Sequence, residues 1–158
     1  MLRQNACCVS FYGWHRVEHF VKAWRAAGFR LSGHFVFPKS YPSGRGLVSY
    51  QHEQAYLLSK GAPQRPAQPL SDVLPWRHTG NRFHPTQKPL CALMPIVKAF
   101  SAPGDLVLDP FCGSGSTLIA ARLLGRRFYG IELDGRYCEL ALARLRSSDA
   151  ARKADAPD

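Results

Sequence analysis

The stretch LVLDPFCGSGSTLIAARLLG, residues 106–125, constrains the fold more than any other part of this sequence. Its apolar start, which ends at Asp109, is typical of a buried strand, and the residues after Gly115 have the apolar spacing of a helix. Gly113 and Gly115 allow the backbone between the two elements to approach a ligand closely. The stretch therefore predicts a strand, a glycine turn and a helix, an arrangement with which many folds hold a nucleotide-like cofactor.

Strands and helices alternate along the rest of the chain, which indicates an α/β fold with helices on both faces of a sheet. We predict strands at residues 5–12, 30–38, 50–61, 105–109 and 127–134. We predict helices at residues 14–27, 90–101, 116–125 and 135–147. Gly28 is expected to stop the first helix and Pro95 to limit or kink the second. Residues 62–89 contain six prolines and little periodicity, so we expect a loop whose length makes it a candidate for function.

The residues around the glycine turn discriminate between cofactors. Leu118 stands where a dinucleotide fold has Gly or Ala, and no Gly-Lys-Ser/Thr follows that would make a phosphate-binding P-loop. Glu132 comes 23 residues after Asp109, at the predicted end of the next strand, where a carboxylate can accept hydrogen bonds from a ribose diol. Asp109 disfavours a pyrophosphate and favours a cationic or amine-bearing group. S-adenosylmethionine has both a ribose and an ammonium, so it is the predicted cofactor, and NAD is a weaker fit.

Positive charge is concentrated in the first two thirds of the chain. The net charge is +10, and residues 1–104 hold 13 Lys and Arg against 3 Asp and Glu, whereas residues 105–158 hold 8 of each. Such a surplus suits a polyanion such as DNA or RNA, and a basic protein without such a partner is the alternative.

The cysteines and histidines indicate a compartment rather than a site. The five cysteines include no C-x-x-C pair, which favours reduced thiols in the cytoplasm over disulfides or zinc. The six histidines are scattered, so we predict no metal site. No apolar run approaches the ~20 residues of a membrane span, so we predict no membrane partner.

Three motifs resemble those of one enzyme family. DPFCGSGST at residues 109–117 and FYGIELD at residues 128–134 are similar to the cofactor motifs of the amino-DNA methyltransferases, which make N6-methyladenine or N4-methylcytosine. HPTQKPL at residues 84–90 is typical of the permuted β-type members, in which the cofactor half follows the catalytic half. The resemblance covers about residues 5–147. It implies a Rossmann-like S-adenosylmethionine-dependent methyltransferase sheet, mostly parallel with one antiparallel hairpin strand and incomplete, and double-stranded DNA as the substrate.

The resemblance also implies roles for individual residues. The turn binds the methionine end of the cofactor, and Glu132 binds the ribose. Leu133 or Asp134 lies beside the adenine, and residues 86–88 close over the carboxylate of the cofactor. The cofactor residues implied are Thr86, Gln87, Lys88, Asp109, Pro110, Phe111, Gly113, Ser114, Gly115, Glu132, Leu133 and Asp134. Basic residues of the hairpin connection and the proline-rich loop are candidates for DNA contacts, namely Lys39, Arg45, Arg65, Arg77 and Arg82.

Four other residues are interpreted as packing residues. Cys112 stands where the family usually has a small residue, and we expect a packed thiol. Trp14, Trp24 and Trp76 are expected in the core, although Trp76 lies in the basic loop and is also a candidate for base stacking.

The catalytic element of this family is absent from the sequence. That element is an Asp/Asn/Ser-Pro-Pro-Tyr/Phe tetrapeptide, which holds the exocyclic amine of a base extruded from the duplex, and no such tetrapeptide occurs in the 158 residues. We therefore predict no catalytic residue here and expect a truncated enzyme, half of a split enzyme completed by a second polypeptide, or an inactive relic. The predicted function is site-specific DNA amino-methylation, at adenine N6 in preference to cytosine N4. The alternative is a catalytically inactive DNA-binding module of the same fold.

These interpretations divide the chain into four parts. Residues 1–61 are the remainder of the catalytic subdomain, and residues 62–83 are a basic loop and candidate target-recognition region. Residues 84–147 are the S-adenosylmethionine-binding subdomain, and residues 148–158 are a flexible tail. The expected setting is cytoplasmic, in prokaryotic or phage restriction-modification.

Overall fold

The chain divides into two compact units, Met1–Trp76 and Arg77–Asp158. The structure is a computed structural model that describes residues 2–44, 46–77, 80, 83 and 86–154, with side chains as far as residue 148. The division falls inside the predicted basic loop at residues 62–83, so this loop contributes to both units, and the other domain limits stay predictions. No helix within the described ranges is long and apolar enough to cross a bilayer.

The first unit is built on a three-stranded sheet. Its strands are β1 (Ala6–Phe11), β2 (Arg30–Ser43) and β3 (Tyr50–Lys60), in the order β1-β3-β2, and β3 is antiparallel to both neighbours. The predicted antiparallel hairpin strand is therefore β3, while β1 and β2 point in the same direction. The buried hydrophobic side chains among the described residues of this unit are Phe35, Phe37, Ala55, Leu58 and Leu74.

The end predicted for the second strand, at Pro38, is wrong, because β2 continues to Ser43. β2 is an edge strand, where proline is tolerated because half of the N–H groups there have no partner strand. The pairing with β3 shifts register between Pro38 and Ser43. The backbone therefore stays extended past the proline while the ladder is interrupted.

Helix α1 (Val17–Ala26) follows a 3-10 turn at Trp14–Arg16, and its end agrees with the predicted stop. Gly28 lies two residues beyond the helix with a φ of +79°, a conformation that glycine adopts without a Cβ penalty. The rings of Phe20 and Trp24 on this helix contact Tyr12, and Trp24 also contacts Tyr56 of β3.

The three tryptophans of the first unit differ in their packing. Trp24 contacts Tyr12 edge-on, with 5.9 Å between ring centres, and Trp76 contacts Phe37 at 5.8 Å. Both are packing residues, as predicted, which weakens the case for base stacking by Trp76. Trp14 is 54% exposed, so its predicted place in the core is wrong.

The second unit contains a β-α-β crossover. Its elements are α2 (Leu90–Phe100), β4 (Leu106–Asp109), α3 (Ser116–Leu123), β5 (Arg127–Gly130) and α4 (Gly135–Ala154). β4 and β5 are parallel, as a helical connection allows, with Leu106 opposite Arg127 and Asp109 opposite Gly130. The predicted strand, glycine turn and helix are confirmed.

Two boundaries in this unit differ from those expected, whereas α2 has almost the predicted range. Pro95 lies inside α2 without ending it. β5 ends at Gly130 rather than at residue 134, so Glu132 lies in the loop beyond the strand. α4 continues as far as Ala154, so its backbone is helical into the stretch that is predicted to be a flexible tail.

The core of the second unit joins its helices to the glycine turn. The buried cluster consists of Leu118, Ile119 and Leu145, and the side chains packed against it are Leu90, Cys112 and Phe128. Leu90 directly follows the segment at residues 86–89, and Cys112 lies inside the glycine turn. Two of the three segments predicted to hold the cofactor are therefore anchored at this core, and Cys112 is a packed thiol, as predicted.

The described strands form two sheets rather than the single sheet predicted, and β4 pairs with β5 alone among them. Successive side chains of a strand point to opposite faces, and one face of the β4–β5 sheet is bare. Leu106, Leu108 and Tyr129 are 60%, 45% and 61% exposed on it, whereas Val107 and Phe128 on the other face are partly buried.

We predict that Gly130→Ala lowers the free energy of unfolding by about 1–3 kcal/mol, because overpacking a tight core is costly. The added Cβ would lie 2.6 Å from Leu118 Cδ1 and 2.9 Å from Cys112 Sγ. Gly135→Ala is the matched control, since nothing lies within 4 Å of its added Cβ and alanine suits a helix start. Urea unfolding followed by circular dichroism measures both variants, and equal stabilities would contradict the close packing at Gly130.

Candidate cofactor-binding site

The glycine turn, residues 110–115, is held by hydrogen bonds at both ends. Asp109 ends β4, and its Oδ1 accepts the N–H of Phe111 at 3.1 Å. The N–H of Cys112 donates to the carbonyl of Ile131 at 3.0 Å, which binds the turn to the loop after β5. The N–H of Gly115 donates to the carbonyl of Cys112 at 2.8 Å. The turn is therefore a closed and ordered backbone structure.

The glycines of the turn are required by conformation and by packing. Gly113 and Gly115 have φ angles of +50° and +79°, in the left-handed region that favours glycine. An added Cβ at Gly115 would lie 2.9 Å from the Cβ of Ala141, so α4 packs directly behind the turn. Ser114 and Ser116 are buried. This side of the turn is closed, which leaves the other side for a ligand.

Glu132 connects the turn to the loop after β5. Its Oε2 accepts the N–H of Gly113 at 2.9 Å, and its Oε1 accepts the N–H of Asp134 at 3.0 Å. Each carboxylate oxygen has a second lone pair. Two backbone amides therefore do not use the whole acceptor capacity of a carboxylate, which is the kind of group to which a ligand diol donates.

Exposed apolar side chains flank the two carboxylates. Phe111, in the turn, is 88% exposed, and Leu133, beside Glu132, is 100% exposed. Pro110 is exposed as well. Large solvent-exposed apolar side chains next to ordered polar groups are typical of a ligand-binding site rather than of a surface that binds nothing.

Asp134 is engaged with helix α4. Its Oδ1 accepts the N–H of Arg136 at 2.9 Å, as in an N-cap, and its Oδ2 lies 2.7 Å from Arg136 Nη2. The hydrogen bonds from Arg136 lower the pKa of Asp134. Its carboxylate is therefore occupied by α4, and Leu133 is the better placed of the two residues predicted to lie beside the adenine.

The segment at residues 86–88 belongs to the same unit as the turn. Gln87 Oε1 accepts the N–H of Phe83 at 3.2 Å, and Lys88 Nζ donates to the carbonyl of Thr86 at 3.1 Å. Thr86 is exposed, and Gln87 and Lys88 are half-buried. All twelve residues predicted to hold the cofactor lie in the second unit, and their roles stay predictions.

Sequence reasoning missed Arg144. It lies on α4, three residues after Ala141, and its guanidinium donates to the carbonyl and the hydroxyl of Ser114 in the glycine turn. The only signal in the sequence is an arginine among the apolar residues of LALARLRS. That signal does not say which element α4 packs against.

The carboxylates of the site contribute to a raised pKa of the Cys112 thiol. Burial, followed by the charges of Asp109 and Glu132, raises the pKa of the Cys112 thiol to about 11. A thiol is neutral below its pKa, so Cys112 is uncharged at neutral pH. The same carboxylates make the site electronegative and suited to a cationic ligand.

The residues predicted to contact DNA have different environments. Lys39 is buried, and its Nζ lies 2.9 Å from Glu53 Oε1 and 2.7 Å from Ser43 Oγ. This pairing argues against the predicted DNA contact, because the ammonium is satisfied inside the first unit. Arg65 and Arg77 are exposed. Two further candidates, Arg45 and Arg82, lie outside the described residues.

Comparison with known sequences finds one family. A family model described as a DNA methylase, N6_N4_Mtase, matches residues 1–143. YubD of Escherichia coli (strain K12), whose name describes a methylase, is 51% identical over 145 residues, which cover 92% of this chain and 64% of that protein. The chain thus spans less than two thirds of this relative. The type II methyltransferase M2.DpnII of Streptococcus pneumoniae is 47% identical over 66 residues, 42% of this chain and 25% of that protein.

Comparison with solved structures supports a Rossmann-like methyltransferase fold. The M1.HpyAVI complex with SAM superimposes with a TM-score of 0.78 and 28% identity, over 91% of this chain and 76% of that chain. The PvuII DNA methyltransferase, which is specific for cytosine N4, gives a TM-score of 0.73 over 90% of this chain and 64% of that chain. Its identity of 16% shows the fold alone.

We predict that Glu53→Ala lowers the free energy of unfolding by about 2–3 kcal/mol, because it leaves the buried Lys39 ammonium without its charge partner. Lys39→Met is expected to cost less, since Glu53 is 38% exposed and can be hydrated. Glu18→Ala, which removes a carboxylate that is 66% exposed beside His19, is the control and is expected to change stability by about 0.5 kcal/mol or less. Thermal unfolding measures all three, and a larger cost for Lys39→Met than for Glu53→Ala would contradict the assignment.

Proposed function

The chain belongs to the N6_N4_Mtase family of DNA methylases, and on that premise we propose that its second unit binds S-adenosylmethionine for the amino-methylation of double-stranded DNA. The observation that carries the proposal is the Glu132 carboxylate. It is held by the N–H groups of Gly113 and Asp134, beside the strand end at Asp109, where a carboxylate can accept hydrogen bonds from a ribose diol.

The residues around Glu132 suit the other parts of this cofactor. Asp109 matches the ammonium of the methionine end, and the glycine turn offers a backbone that a ligand can approach closely. Leu133 presents apolar surface for the adenine, and Phe111 presents apolar surface at the methionine end. Residues 86–88 are proposed to close over the carboxylate. When bound, S-adenosylmethionine supplies the methyl group.

Charge supports this cofactor over a dinucleotide. Asp109 and Glu132 are close enough to the Cys112 thiol to raise its pKa, so the site carries negative potential. A sulfonium and an ammonium are favoured by such a potential, whereas a pyrophosphate is repelled. NAD therefore remains the weaker candidate.

The chemical step is proposed to need residues beyond those of this chain. In the family resemblance, an extruded base is held by an Asp/Asn/Ser-Pro-Pro-Tyr/Phe tetrapeptide, and the 158 residues contain none. We assign a catalytic role to no residue here, and we propose that a second polypeptide or another part of the protein supplies it. Adenine N6 is the proposed target, with cytosine N4 as the alternative, in a cytoplasmic restriction-modification setting.

A catalytically inactive DNA-binding module is the second candidate function. The charge of +10 favours it. The two candidates differ in one property, because the module needs no cofactor. Binding of S-adenosylmethionine therefore separates them.

We predict that S-adenosylmethionine binds the chain and that Glu132→Gln weakens its binding about 10- to 100-fold, because hydrogen bonds to a charged acceptor contribute about 1.5–3 kcal/mol. Glu139→Gln removes a carboxylate from an exposed position of α4 and is expected to leave the affinity unchanged. Isothermal titration calorimetry measures the three dissociation constants. A folded wild-type chain that does not bind the cofactor would favour the module.

We predict that Arg65→Gln and Arg77→Gln each reduce the slope of log affinity against log salt concentration for duplex DNA by about 0.9, because each removes one phosphate contact. Lys39→Met is expected to leave this slope unchanged, since its ammonium is paired with Glu53. Fluorescence anisotropy at several salt concentrations gives the slopes. A slope that is reduced for Lys39→Met and not for the two arginine variants would show that Lys39, rather than Arg65 and Arg77, contacts the phosphates.

A further inference from the structure

Arg144 contacts two segments of the candidate site that are far apart in sequence. Its guanidinium donates to the carbonyl of Ser114 and, at 2.9 Å, to the hydroxyl of the same residue. The guanidinium carbon also lies 4.7 Å from the centre of the Phe83 ring, within the range of a cation–π contact. Phe83 donates its N–H to Gln87 Oε1. One side chain of α4 thus connects the glycine turn to the segment that precedes α2.

The partners of Arg144 differ from those of a structural ion pair. Within the part of the chain that the structure describes, they are a carbonyl, the hydroxyls of Ser114 and Ser116 and an aromatic ring, and none is a carboxylate. Burial lowers the pKa of Arg144 from its usual value. A guanidinium donates in its own plane and stacks through its face, so both contacts can exist together.

Packing fixes where Arg144 can lie. Ala141 is three residues earlier on the same face of α4, and its Cβ would lie 2.9 Å from a Cβ added to Gly115. Leu145, the next residue, belongs to the buried core cluster. The backbone of Arg144 is therefore held beside the glycine turn, within reach of Ser114.

We infer that Arg144 is a positioning residue that ties the segment of Phe83 and Gln87 to the glycine turn, so that both parts of the cofactor site become ordered together. The inference rests on the proposed function, because it concerns the site proposed for S-adenosylmethionine. It adds a residue that acts through its neighbours rather than by contact with the reacting groups.

The first test needs no cofactor. Hydrogen exchange is measured by mass spectrometry on peptides that cover residues 113–116 and residues 83–88. Arg144→Ala is expected to raise exchange about fivefold or more in both peptides, whereas Arg146→Ala, which removes a charge from an exposed position on the same helix, leaves both unchanged. Faster exchange in the glycine turn alone, or in neither peptide, would contradict the inference that Arg144 connects the two segments.

The second test measures coupling in cofactor affinity by calorimetry. Arg144→Ala is expected to weaken binding of S-adenosylmethionine about tenfold and Phe83→Ala about threefold. The double variant is expected to bind no more weakly than Arg144→Ala, because both substitutions break one connection. A double variant that binds about thirtyfold more weakly than the wild type, the product of the two single effects, would show that Arg144 and Phe83 act independently and would overturn the inference.

The two tests keep this inference separate from the proposed function. A wild-type chain that does not bind S-adenosylmethionine overturns the proposed function, and hydrogen exchange then still decides whether Arg144 ties the two segments.

If circular dichroism shows that Arg144→Ala is unfolded, the variant Phe83→Ala is used instead to test whether Arg144 connects the two segments. The Phe83 side chain is 41% exposed, so its removal is expected to keep the fold and still raise exchange at residues 113–116. Unchanged exchange there would overturn the tie.

Discussion

The Glu132 carboxylate is the interaction on which the second unit's site depends. Parallel strands leave their carboxyl ends at one edge, and the loops that follow must be connected there by something other than the ladder. Glu132 makes that connection, because one oxygen accepts the N–H of Gly113 and the other accepts the N–H of Asp134. This pair of hydrogen bonds acts together with the bond from the N–H of Cys112 to the carbonyl of Ile131 to hold the glycine turn against the loop that leads to α4. A group that orders the site is thus also the group to which the ligand is proposed to bind.

The local sequence was sufficient to predict those elements that depend only on neighbouring residues. The β4, turn and α3 stretch follows from an apolar run, glycines that require positive φ and a helical spacing, and all three are present. The end of α1 before Gly28 has the same kind of cause. The end of β2 was missed because it depends on the strand's place at the sheet edge, where Pro38 is tolerated.

Residues whose environment comes from distant parts of the chain could not be predicted in this way. Lys39 is a charged residue near a turn, and only the fold places Glu53 beside it. Arg144 acquires its contacts because α4 packs behind Gly115. In both cases the side chain is polar, the local pattern predicts solvent, and a tertiary contact decides otherwise.

The bare face of the β4–β5 sheet has a consequence for handling the protein. Two strands are fewer than the number that is usually stable in water. Leu106, Leu108 and Tyr129 add apolar surface to a sheet in which, among the described strands, β4 and β5 pair only with each other. Extended peptides of any origin can pair with the edge of such a sheet. The second unit produced by itself is therefore expected to aggregate, and solubility rather than folding is expected to limit its yield.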